Sequence, residues 1–434
     1  MSGTTRNLFL FTVMALLIVM TGMLQSWNVA LLILNMGMIS AIMAIGVNLQ
    51  WGVAGLFNVG IMGFVALGGL ATVLIATAPI PGVWPAGGFR VLMALLAGAG
   101  AVALTAFVWR RMKPSLARSV VALCLLVVGF ALFRWVFDPG ARAVEALNPT
   151  LQGNIGGLGL PVLLAWPVGG ALSAGAAWLI GKTALGLRSD YLAIATLGTA
   201  EIIIAILKNE DWLARGVKNV IGLPRPVPYE VDLQADAGFA GRAAALGFDP
   251  ITASTLWVKG LYALLFAVVL TGLFWMAQRA LHSPWGRMMR AIRDNEAAAA
   301  AMGKNVTGRH LQVFVLGSAI CGLAGAMMTT LDGQLTPGSY QPLRFTFLIW
   351  VMVIVGGSGS NIGAVLGGFL IWFLWVQVEP SSLWLIQTAT SGMPDTSPLK
   401  PHLTESAGHM RLLIMGIILL LVLRVCPRGL IPPS

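Results

Sequence analysis

Long apolar runs recur along the whole chain, and they constrain what it can fold into more than any other feature. They fall at residues 8–24, 29–49, 53–77, 90–110, 118–137, 161–181, 190–207, 256–278, 311–331, 344–356, 360–378 and 411–425. Most reach the roughly 20 residues that a helix needs to cross the hydrocarbon core of a bilayer. Of the 434 residues 57% are hydrophobic and only 10% charged, whereas soluble domains carry about a quarter charged residues. The expected fold is therefore all-α, a polytopic transmembrane helical bundle of about 10–12 spans with some broken or re-entrant. Glycines from Gly356 to Gly363 interrupt one apolar stretch, so 344–378 reads either as two spans or as one broken element. Gly55 to Gly60 interrupts another, and both interruptions contain Asn-x-Gly, at Asn58 and Asn361.

Charge placement gives an orientation. The chain has 27 Lys and Arg against 16 Asp and Glu. The basic residues cluster in short loops between spans, which orients membrane proteins and does not call for nucleic acid. Arg110, Arg111, Lys113 and Arg118 lie in one such loop. The expected topology puts both termini and the 282–310 loop in the cytoplasm. Residues 208–255 and 379–410, both punctuated by Pro and Gly, then lie outside, as a cap for an external partner or as plain connectors. Arg6 followed by an apolar run resembles a signal sequence. The residues after it offer no small-x-small cleavage site, which favours an uncleaved first span.

Catalytic and metal-binding constellations are missing from the pattern. Cys124, Cys321 and Cys426 have no metal-ligand spacing, and His282, His310, His402 and His409 lie in expected loops. Gly175 to Thr183 imitates a phosphate-binding loop, but Ala176 stands where the first glycine belongs and the segment ends an apolar span. No catalytic residue, metal ligand or cofactor is assigned to this chain. The notable polar residues are intramembrane ones. Glu201 sits inside 190–207, where an ionisable group is costly unless it faces a partner, a wet pathway or the interface. Asn58, Glu201 and Asn361 are the candidate translocation-pathway residues. Ser318, Gly322 and Ala326, at i, i+4 and i+8, form a small-residue stripe for close helix contact.

The most informative polar segment is His282 to His310. Ser283 and Pro284 predict a helix start, and Gly303 a stop. From Ala297 to Ala301 only methyl groups project, so another protein could approach closely. On these residues alone the segment is equally a solvated basic loop.

RAIRDNEAAAAAMGKNVTGRHLQVFVLGSAICGLAGAM (290–327) resembles the cytoplasmic coupling loop and following span of the LivM-type permease subunit of branched-chain amino acid ABC importers. LRSDYLAIATLGTAEII (187–203), IGLPRP (221–226), the glycine run after Ile354 and CPRGL (426–430) resemble the same family. The resemblance covers about 190–430 and, less specifically, 29–75. It divides the chain into an N-terminal transmembrane region with extra spans (1–160) and a permease core (161–434).

It also implies a bacterial inner-membrane protein whose partners are a second homologous permease subunit, two cytoplasmic ATPase subunits that bind the ATP, and a periplasmic substrate-binding protein. Arg293, Glu296, Ala298 and Gly303 would be ATPase-coupling residues. Two departures stand out: Gly303 falls one residue later than in the general EAA-x3-G loop, and Ile61-Met62 follows the first glycine motif where many relatives carry His. A urea or short-chain amide permease is the alternative within the class. An ion-coupled secondary transporter or channel using Glu201 is the alternative outside it.

Overall fold

The computed structural model describes residues 3–147, 153–391 and 399–433. Helices α1 (Gly3–Leu24), α2 (Trp27–Val47), α3 (Ile61–Ala76), α4 (Phe89–Arg111), α5 (Leu116–Glu145), α6 (Ala165–Ala184) and α7 (Ser189–Asn209) come first. Short α8 (Asp211–Ala214), α9 (Glu230–Ala235) and α10 (Ala237–Ala245) follow, and then the 33-residue α11 (Pro250–His282). The basic loop holds α12 (Pro284–Asp294) and α13 (Glu296–Ala301). Beyond it come α14 (Val306–Asp332), α15 (Pro342–Gly356), α16 (Asn361–Ala389), α17 (Leu399–Ser406) and α18 (Met410–Val425). Among the described residues 10 helices are long and apolar enough to cross a membrane, while α3 and α15 are apolar but shorter. The chain is a multi-pass helical membrane protein.

α2 is the central helix. From Asn35 to Gln50 every side chain is buried, against α14, α16, α11 and α15. α14 packs on α6, α3 and α2 through the small-residue stripe, since Ser318, Gly322 and Ala326 are all buried. A Cβ at Gly322 would stand 2.7 Å from the Gly169 carbonyl oxygen, and one at Gly68 only 1.8 Å from that of Gly322. Backbones this close admit only glycine, which is how membrane helices gain contact without a hydrophobic driving force. α4 and α5 pack mainly on each other and form a second apolar cluster with Phe137 and Trp212. This hairpin meets the bundle through α8 and the segment after α3, whereas α2 and α3, also before residue 160, lie in the bundle's centre.

Two expectations change in detail, and one open alternative is resolved. The span expected at 53–77 becomes helical only at Ile61, because the chain between Ala54 and Gly60 is extended or turning. The 344–378 stretch is two antiparallel helices. Gly356 lies against Gly363, and Gly367 against Met352, so α15 and α16 form a tight hairpin. The single helix expected from Pro284 to Gly303 is two, because Asn295 takes an extended backbone (φ −155°, ψ 97°) and caps α13 with its own side chain. Ser283 fills the N-cap position, but its hydroxyl donates back to Ala280 O at 2.7 Å and caps nothing ahead. Gly303 does end the segment, with φ +75°. In the expected outer stretch 379–410, residues 392–398 lie outside the described ones.

At the end of α14 opposite the basic loop, β1 (Val220–Ile221) pairs antiparallel with β2 (Gln334–Leu335). That pairing ties the polar 208–249 segment to the bundle, so it is ordered cover rather than slack connector.

Candidate functional site

Non-helical backbone inside a membrane protein must find its hydrogen bonds within the protein. α3 and α15 have 16 and 15 residues, or about 24 and 22 Å, short of the roughly 30 Å core. Each abuts a break. α2 widens into a π-helical turn, Asn48–Val53, before the break at 54–60, while α15 and α16 are separated by 357–360.

The structure brings these two breaks together. Asn48 Nδ2 donates to Asn361 Oδ1 at 2.9 Å, and Gly359 N donates to Asn48 Oδ1 at 2.7 Å. Asn361 Nδ2 reaches Gln278 Oε1 of α11 at 3.2 Å. Gln50 Nε2 donates to Phe314 O at 2.9 Å and Ser318 Oγ at 3.0 Å, and its Oε1 accepts from Asn58 Nδ2 at 2.9 Å. Asn58 then holds the start of α3, accepting Gly60 N at 2.9 Å, and its carbonyl accepts Trp350 Nε1 at 3.1 Å. Because Phe314 lies eight residues into α14, the seam sits about 12 Å inside the bundle from the loop end. Asn48, Gln50, Asn58, Ser318 and Asn361 are all buried. A satisfied polar network of this kind fixes one arrangement of the helices, and breaking any member leaves others unpaired.

The basic loop is bonded to this seam. Arg293, on α12, donates from Nη1 to Gly52 O at 2.6 Å, satisfying a carbonyl freed where α2 widens. Its Nε and Nη2 hold the neighbouring Asp294 at 3.1 and 3.0 Å. Met289 and Ile292 of α12 are buried beneath it, so α12 is anchored on the bundle. α13 shows the opposite behaviour: Glu296, Ala297, Ala298, Ala300 and Ala301 are exposed and only Ala299 is buried. Thus of the four coupling candidates Arg293 faces the membrane domain, whereas Glu296, Ala298 and Gly303 face outward.

The pathway candidates also separate. Asn58 and Asn361 belong to the seam. α7 meets the seam at Thr196, whose Oγ1 accepts Val59 N at 3.1 Å, but Glu201, five residues on, is exposed with no hydrogen bond or ion pair among the described residues. α7 buries Leu192, Thr196, Ala200, Ile204 and Leu207 and exposes Tyr191, Ile194, Ile202 and Ile206. Glu201 therefore stands in the middle of an apolar face that leaves this chain altogether. Gly175 to Thr183 lies wholly within α6, whose amides serve the helix ladder.

Sequence reasoning misses Gln50 and Gln278. Gln50 falls in the three-residue gap between two expected spans, and Gln278 closes another, so each reads as a solvated end. A polar amide next to a glycine-rich interruption is the signal that marks Gln50; Gln278 has no such interruption beside it and carries no sequence signal.

A family model described as "Branched-chain amino acid transport system / permease component" matches residues 141–423. The chain is 29% identical over 252 residues to the high-affinity branched-chain amino acid transport system permease protein LivM of Escherichia coli (strain K12), covering 57% of this chain and 56% of that protein. It is 26% identical over 294 residues to a probable branched-chain amino acid transport permease protein LivM of Methanocaldococcus jannaschii, covering 67% and 74%. The ribose import permease protein RbsC of Haemophilus influenzae is 26% identical over 262 residues, covering 59% and 73%. The chain thus spans little more than half the length of the E. coli relative. No solved structure matches.

Proposed function

The chain belongs to the branched-chain amino acid transport system permease family, and on that premise we propose that it is a membrane permease subunit of an ATP-driven (ABC) importer carrying branched-chain or related amino acids across the bacterial inner membrane. Both termini and the α12–α13 loop lie in the cytoplasm in this reading. Its partners are a second homologous permease, two ATPase subunits that bind the ATP, and a periplasmic binding protein.

The observation that carries the reading is the bond from Arg293 to Gly52. It makes the loop a lever: α13 offers small exposed side chains to an ATPase, α12 rests on the bundle, and Arg293 joins α12 to the paired helix breaks. Closure of the ATPase dimer would displace α13, and Arg293 would pass that displacement to Gly52, Asn48 and Asn361. Such a push changes substrate affinity only if the two states of the seam bind substrate differently.

Glu201 marks the face of α7 that meets the second permease or the wet path between them. A carboxylate on a face otherwise made of Tyr and Ile is costly against lipid and acceptable against a polar partner.

The test is uptake of radiolabelled leucine, with ribose as comparison, by vesicles holding the complete complex. Leucine accumulation on addition of ATP, unaffected by collapse of the proton gradient, is expected. Accumulation driven by the gradient alone would favour an ion-coupled carrier, and ribose accumulation would favour the sugar branch that the RbsC similarity represents. In the same vesicles Glu201→Leu should lose most uptake or assembly and Glu201→Gln should keep much of it, because glutamine retains hydrogen-bonding capacity. Unchanged uptake and yield in Glu201→Leu would place the α7 face against lipid.

A further inference from the structure

A cavity of about 310 Å³ lies between α2, α3, α14, α15 and α16. That is at the small end of ligand pockets, which run from about 300 to 1,000 Å³. Five methionines line it: Met36, Met43, Met62, Met328 and Met352. Methionine is unbranched and polarizable, and it adapts to apolar groups of differing shape. Drawing five from four separate helices gives a lining fit for aliphatic branches and poor for hydroxyl groups.

The polar groups are few: Ser40 on α2, the Trp372 indole, and Asp332, Ser339 and Tyr340. Asp332, the last residue of α14, is on the rim beside Ser339 and Tyr340, and it makes no ion pair or hydrogen bond among the described residues. The Tyr340 phenol is 3.1 Å from Thr329 Oγ1, and burial pushes its pKa up, so it stays a neutral hydroxyl. Trp372 also lines the cavity, and its indole N–H is buried with no acceptor among the described residues. A donor of this kind is available to a ligand acceptor or a water.

Position adds a third argument. The inner part of the cavity is walled by Met43, Met62 and Met352. Each lies within about a turn and a half of the seam, five residues before Asn48, two after Gly60 and four before Gly356. Its other flank, α15 with the turn at Pro337–Ser339, packs against α7, the helix of Glu201. A solute here would touch both helix breaks that the loop moves.

We propose that this cavity is a substrate-binding station that takes a small zwitterion with a branched aliphatic side chain, its ammonium group on Asp332 and its side chain among the methionines. The proposal rests on the importer reading for the direction of travel. It separates this chain from the sugar-carrying relatives, because a polyol in this lining would leave its hydroxyls unpaired.

The test is protection of a thiol. Ser40 lines the cavity and is buried, and Ser40→Cys changes its size little. In a background carrying Cys124→Ser and Cys426→Ser, only this thiol and the fully buried Cys321 remain. The assembled complex in vesicles is treated from outside with a small cationic methanethiosulfonate.

Leucine and valine should each slow modification about tenfold at saturation, and ribose should leave it unchanged. In a second arm Met352→Trp, which narrows the cavity, should raise KM for leucine more than for valine without lowering membrane yield. A thiol never reached, no protection by leucine, or equal protection by ribose would each overturn the proposal. Those results leave ATP-driven leucine uptake to stand or fall alone. Protection by leucine in a complex that fails to transport it would support the site and remove the importer reading.

Discussion

Arg293→Ala should lower ATP-driven uptake about 10-fold or more, because it removes the charged hydrogen bond that ties α12 to the helix break. A hydrogen bond to a charged group contributes about 1.5–3 kcal/mol, or roughly 10- to 100-fold in an equilibrium. Here it also leaves the Gly52 carbonyl, freed by the π-helical turn, without its partner. The defect expected is uncoupling. Buried Met289 and Ile292 still hold α12 on the bundle, so membrane yield and ATPase association should persist while hydrolysis no longer drives transport. Arg293→Lys should be intermediate, since one ammonium can reach Gly52 O but cannot also grip Asp294 as the guanidinium fork does. Asp294→Ala should do little, because that carboxylate is largely exposed and surface pairs contribute about 0–1 kcal/mol. Coupling measured as leucine moved per ATP hydrolysed checks all three, and wild-type coupling in Arg293→Ala would remove Arg293 from the lever.

Gly52→Val should abolish folding of the chain rather than its coupling. A Cβ at Gly52 would stand 2.3 Å from both Asn48 Oδ1 and Gly359 N. Neither can retreat, since Asn48 is engaged by Asn361 and Gly359, and Gly359 belongs to the tight α15–α16 turn. Overpacking that side chains can absorb costs about 1–3 kcal/mol, and a clash with fixed backbone exceeds it. Membrane yield should fall to background. Gly175→Val is the control, because nothing lies within 4 Å of a Cβ there, and it should accumulate normally. Normal yield from Gly52→Val would mean that the two breaks do not meet.

The spans were readable because apolar runs of fixed length have one solution in a bilayer, and the breaks because Gly and Asn interrupt those runs at Asn58 and Asn361. That these breaks bond to each other was not readable. Asn48 and Asn361 lie 313 residues apart, and no local pattern sets such a distance. Arg293 was recognisable as part of the loop, yet its direction was not, since either face of an amphipathic helix can carry arginine. The split of the loop at Asn295 did leave a trace, because Asn followed by Glu is a helix-start pairing. The run of alanines after it favours helix so strongly that the stop is easily overlooked. Glu201 was visible as a charge within a span, but only packing shows that it faces away from its own chain. The methionine cavity had no sequence signal at all, since its lining comes from separate helices at the irregular spacings of an ordinary apolar core.

The central claim is that α13 receives an ATPase and that the permease works through that contact. Ala298→Trp tests it most directly. Ala298 is exposed, and exposed substitutions usually change stability by less than about 0.5 kcal/mol, so the variant should reach the membrane at wild-type yield. The measurement is co-purification of the co-expressed ATPase with this chain, made together with ATP-driven leucine uptake in vesicles. The account predicts that wild type retains the ATPase and that Ala298→Trp loses it, or retains it without transport. ATPase retention and uptake both at wild-type levels in Ala298→Trp would contradict it.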